Sequence, residues 1–87
     1  MIRHERLEVN VIGERGQTVP VQLQVRVEGS EVEAVAKWRE SIAGGGLQDF
    51  VTVCERVEEF LRSRYKAGRV EVEPVMLDLV GHDEEAA

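Results

Sequence analysis

Residues 30–43 read SEVEAVAKWRESIA, and the conformation assigned to them decides the fold. Ser30 followed three residues later by Glu33 has the form of a capping box, in which the two side chains satisfy each other's exposed backbone N–H groups. Val32, Val35, Ala36, Ile42 and Ala43 recur near helical spacing, with Glu31, Lys37 and Glu40 facing elsewhere. The stretch is therefore expected to be a short helix ending at Gly44. Trp38 falls off its apolar stripe, so that side chain either covers the edge of its own core or is left for a partner.

Upstream, two segments alternate with period two. Leu7, Val9 and Val11 oppose Arg6, Glu8 and Asn10; Val19, Val21, Leu23, Val25 and Val27 oppose Pro20, Gln22, Gln24, Arg26 and Glu28. Valine-rich alternation marks a strand with one buried face, and GERGQT (13–18) between the segments marks a hairpin. Pro20 has no N–H to give a ladder, so the second strand is expected to lack a partner on one side near its start.

Downstream, IAGGGLQDF (42–50) holds three consecutive glycines. A phosphate-binding loop needs a strand before the glycines and a Lys-Ser or Lys-Thr after them. Neither is present, and the spaced glycines of a dinucleotide fold are missing too. The triplet reads as a connection between helices: Gly44 or Gly45 takes a left-handed conformation, Gly46 is the N-cap and Asp49 is the third helical residue. A hinge that lets the second helix swing is the mechanical variant of this reading.

Leu47, Phe50, Val51, Cys54, Val57, Leu61 and Tyr65 form a continuous helical stripe, widened by Val53 and Phe60. Acids (Asp49, Glu55, Glu58, Glu59) precede bases (Arg62, Arg64, Lys66, Arg69), matching the helix dipole, and Gly68 follows as a terminator. RVEVEPVMLDLV (69–80) starts as a strand, but its apolar phase slips by one residue at Pro74, which suggests a bulge or kink there. After Pro74 both faces are apolar, as in a segment buried on two sides or covered by another molecule.

The expected architecture is α+β: a hairpin, two helices and a third strand (ββααβ), with the helices on one face of a three-stranded sheet. The third strand would pair antiparallel with the second or parallel with the first. One domain is expected over residues 1–80, followed by a polar acidic tail, 81–87, without fixed structure.

Composition narrows the function. A domain of 87 residues buries about two thirds of its surface and commonly needs a further source of stability. One cysteine allows no internal disulfide, and one cysteine with two histidines does not make the usual zinc clusters. Self-association is the remaining source. A net charge of −6 disfavours general binding to nucleic acid or membrane surfaces. MIRHERLEVN lacks the apolar centre of a secretion signal and no apolar run would span a bilayer, so a cytoplasmic location is expected.

Candidate sites are few. Cys54 lies on the apolar stripe among acids, which suits an inert thiol rather than a nucleophile. Arg15 and the hairpin turn could hold an anion, but the same residue types populate any exposed turn. A metal site from His4, His82 and Asp83 would require the two chain ends to meet. The carboxylate pairs Glu58–Glu59 and Glu71–Glu73 fall on solvated faces, not in a cleft. No catalytic residue, cofactor or metal site is expected. The leading expectation is a small acidic interaction protein, a self-associating (homodimeric) accessory or regulatory subunit, with Trp38, Pro74, Val75, Met76 and Val80 as candidate interface residues. The alternative is a nucleic-acid or anion-binding module using Arg62, Arg64, Lys66 and Arg69 at the basic end of the second helix.

Overall fold

The structure is a computed structural model and describes residues 1–77. It contains strands β1 (Ile2–Ile12), β2 (Thr18–Glu28) and β3 (Glu31–Arg39), a single helical turn α1 (Glu40–Ala43), the helix α2 (Leu47–Tyr65) and strand β4 (Arg69–Leu77). The sheet has four strands in the order β1-β2-β3-β4. The first two pairings are antiparallel and β3–β4 is parallel. The α+β class stands, while the three-stranded ββααβ arrangement does not.

The correction lies in residues 31–39. Glu28 and Glu31 are joined through Gly29 and Ser30, with Gly29 at φ 62°, so β2 turns directly back into β3 as a tight hairpin. In strand phase Val32, Ala34, Ala36 and Trp38 all point to the core and are buried, whereas Glu31, Glu33, Val35, Lys37 and Arg39 point away. Alanine favours helix in isolation, but tertiary pairing overrides that preference. At the centre of a sheet under a helix, a small side chain also fits where a large one would hold the layers apart. Ser30 caps nothing: its carbonyl instead accepts from Gly68 N–H (2.8 Å) and Arg69 N–H (3.2 Å), fastening the start of β4 beside β3.

The other expectations fare better. The β1–β2 hairpin closes with Gly13 N–H bonded to Gln17 C=O at 2.7 Å and Gly16 N–H bonded to Gly13 C=O at 3.0 Å, with Gly16 at φ 82°. β3 pairs with β2 only from Gln22 onward, so Pro20 has the unpaired flank its chemistry requires. α2 runs over the expected residues. Its buried line is Val53, Val57 and Leu61, while Leu47 is exposed at the N-terminus. The helix ends with Lys66 in the left-handed region (φ 50°), so Lys66 and not the expected Gly68 takes the terminating conformation.

β4 carries no bulge. Its register against β3 is continuous from Glu31 opposite Arg69 to Arg39 opposite Leu77, with Pro74 opposite Ala36. Pro74 is tolerated because β4 is an edge strand with one side unpaired. β4 thus pairs with neither strand one nor strand two, because β3 occupies the intervening place. The principal Cα extents are 39 × 32 × 17 Å. The thin dimension accommodates one sheet and one helical layer, so among the described residues no element covers the second face of the sheet.

Candidate interaction surface

Two polar regions stand out. The first is a clasp at the end of the sheet where the β1–β2 turn meets the start of α2. Arg15 Nη1 donates to Asp49 Oδ1 at 2.8 Å, and Arg15 Nη2 donates to the Ala43 carbonyl at 3.4 Å. Gln17 Nε2 donates to the carbonyls of Ala43 (3.0 Å) and Ile42 (3.2 Å), and Thr52 Oγ1 donates to Glu14 Oε1 at 2.6 Å. Asp49 Oδ2 accepts from Gly46 N–H at 3.1 Å, the N-terminal contact expected of a third helical residue. Gly44 lies at φ 103° and its N–H bonds to Glu40 C=O at 2.7 Å. The glycine triplet is therefore a hydrogen-bonded turn between α1 and α2. Arg15 is already committed to Asp49 and to a backbone carbonyl.

The second region is the open face of the sheet. It forms a shallow trough of about 640 Å³, with His4, Arg6 and Arg26 toward β1 and β2, and Glu33, Glu71 and Glu73 toward β3 and β4. Arg26 spans the two halves, with Nη2 3.2 Å from Glu28 Oε1 and Nη1 3.6 Å from Glu33 Oε1. Pairs this exposed contribute little stability singly, so the face is polar without being locked.

The sequence-derived candidates are scattered over the fold. Trp38 is 1% exposed, with its ring centroid 6.0 Å from that of Phe50. It is a core residue and not an interface one, and it fell off the apolar stripe only because residues 31–39 were read with helical period. Pro74 and Val75 are half-buried and Met76 is exposed, all on β4. Val80, with His82, Asp83 and the tail 81–87, lies outside the described residues.

Arg62, Arg64 and Lys66 are exposed at the end of α2, with the Arg64 guanidinium 5.7 Å from the Tyr65 ring centroid. Arg69 is exposed and ion-paired with Glu71 at 2.6 Å. Of these four cations Arg69 alone has a carboxylate partner among the described residues. Tyr65 donates its hydroxyl to Glu5, and burial followed by that carboxylate raises its phenol above the usual tyrosine range. Among the described residues no group of three or more His, Cys, Asp or Glu side chains is placed to hold a metal, and no helix is long and apolar enough to cross a membrane.

Cys54 is half-buried. Burial first, then Glu58 and Glu55, push its thiol above the ordinary cysteine value, which lowers the reactive thiolate fraction near neutrality. Alkylation of the native protein by iodoacetamide at pH 7 is expected to run about tenfold slower than alkylation of the urea-unfolded chain, as followed by mass spectrometry. Equal rates would show a freely reactive thiol.

The edge strands were the feature hardest to see in the sequence, because identifying them requires knowing that β3 exists. Among the described residues six large apolar side chains are exposed, and four of them, Met1, Ile2, Ile12 and Met76, lie on or beside β1 and β4. Among the described residues these observations define a small two-layer α+β domain with one helix-covered face, one open face and two free edges. The chain matches no protein-family description, no curated protein and no solved structure.

Proposed function

We propose that this chain is a non-catalytic, self-associating interaction module, acting as a small accessory or regulatory subunit. The observation that supports the reading is the placement of exposed Ile2, Ile12 and Met76 on the two edge strands. Free N–H and C=O groups along an edge, flanked by apolar side chains, form a template for another strand. A domain this small also gains stability from a second subunit. The lone thiol suits the reducing cytoplasm. Sedimentation equilibrium across the micromolar range is expected to give a mass above that of one chain. A monomer at every concentration would overturn the reading.

A further inference from the structure

Resting on the self-association reading, we infer that two copies of the chain pair antiparallel through β1, about a two-fold axis passing beside Leu7, to form one continuous eight-stranded sheet. The backbone fixes which groups are available. Gly13 and Gln17 form a hydrogen-bonded pair, and hydrogen-bonded and non-hydrogen-bonded pairs alternate along an antiparallel ladder. Hence Arg3, Glu5, Leu7, Val9 and Val11 direct their N–H and C=O groups to β2. Ile2, His4, Arg6, Glu8, Asn10 and Ile12 direct theirs outward, along an edge unpaired among the described residues.

The side chains select the register. With Leu7 opposite itself, Arg6 lies opposite the partner's Glu8, and by symmetry Glu8 lies opposite the partner's Arg6. Ile2 meets the partner's Ile12 on the open face, where these side chains are 44% and 51% exposed in the single chain. Shifting the two-fold register by one step in either direction places Arg6 opposite the partner's Arg6, or Glu8 opposite the partner's Glu8. Neither Arg6 nor Glu8 has an ion-pair partner among the described residues of its own chain. The outward-directed residues are the same even-numbered set on both copies, so the backbone permits this register along with the shifted ones, and charge matching selects it. Charged side chains ordinarily deter edge pairing; here they are complementary to their own two-fold image.

β4 is the poorer edge. Pro74 lacks an N–H, and registers overlapping most of the strand place Glu73 opposite itself, Glu71, Val75 or Leu77. The two-fold axis stands perpendicular to the sheet, so both helices cover the same face. Leu7 and Val9, only partly buried in the single chain, become interior to the joined sheet.

Charge reversal and cross-linking test the pairing together. Sedimentation of Arg6→Glu is expected to show a dimer weakened about tenfold or more, because both central pairs become repulsive. The double variant Arg6→Glu with Glu8→Arg restores opposite charges and is expected to restore the dimer. In a Cys54→Ala background, Leu7→Cys is expected to oxidise to a disulfide-linked dimer, since directly opposed non-hydrogen-bonded residues have Cα atoms about 4.5 Å apart. Val9→Cys, roughly 13 Å from its own image, is expected to stay uncrosslinked. A wild-type monomer at every concentration would overturn the self-association reading and this pairing with it. A wild-type dimer indifferent to Arg6→Glu, with no Leu7→Cys cross-link, would overturn the β1 pairing and leave self-association standing.

Discussion

Trp38→Ala is expected to lower folding stability by about 3–5 kcal/mol, while Trp38→Phe is expected to cost less than about 1.5 kcal/mol. Trp38 is among the largest fully buried side chains and packs on Phe50, so truncation opens a cavity beneath the start of α2. The milder result for phenylalanine follows from a second observation. Trp38 Nε1 is buried and has no hydrogen-bond acceptor among the described residues, so its N–H is desolvated without replacement. Removing that group relieves a penalty of about 1–3 kcal/mol, which offsets much of the lost ring volume. Urea denaturation followed by circular dichroism checks both variants, since the only tryptophan, and with it the usual fluorescence signal, is lost in each. If phenylalanine proves as damaging as alanine, the indole N–H has a partner after all.

Gly44→Ala is expected to cost about 2–4 kcal/mol, the most of any single alanine substitution in the glycine triplet. Two effects combine. At φ 103° an L side chain is strained, and a Cβ at this position would collide with the Asp49 carboxylate and stand 2.9 Å from Arg15 Nη1. Relief of the collision pushes Asp49 away from Gly46 N–H and from Arg15, undoing the contact that starts α2. A Cβ at Gly45 meets only the mobile end of Glu40, and one at Gly46 comes no closer than 3.1 Å to Asp49 Oδ2. Those two substitutions are expected to cost about 1 kcal/mol or less. In an Asp49→Ala background the Gly44→Ala penalty should shrink to its backbone part, and a double-mutant cycle by urea denaturation measures the difference. Equal costs at all three glycines would indicate a loose hinge.

What the sequence revealed and what it hid have a common physical origin. α2 was legible because nineteen residues carry one uninterrupted 3.6-residue period with graded charge. β1 and β2 were legible because valine alternates with polar residues over a long run. Residues 31–39 satisfy two periods at once: Val32, Val35 and Ala36 fit a helix, while Val32, Ala34, Ala36 and Trp38 fit a strand. The alanines that make the segment look helical are the side chains whose small size suits the buried middle of the sheet.

That one reading propagated. It removed a strand, gave β4 the wrong neighbour and left Trp38 between a core edge and an interface, when the side chain lies in the core. The slip at Pro74 was real in the sequence, yet its cause was not a bulge. Val75 and Leu77 face the open side, where the polar rule is relaxed near a free edge. Of the candidate interface, Met76 alone is exposed among the described residues. The clasp of Arg15, Gln17 and Asp49 was legible only in its helix-capping part, because its other members lie far away along the chain.

The parallel alignment of β3 and β4 gives the sheet an order in time as well as in space. β1, β2 and β3 are joined by two tight turns, and each pairing recovers its ordering entropy locally. β4 has no such neighbour. Glu31 can meet Arg69 only after the intervening chain has closed a long loop, and α2 must lie across the sheet to bring the two together. The first three strands can assemble as a meander from adjacent pieces of chain, whereas the fourth has to wait for the helix.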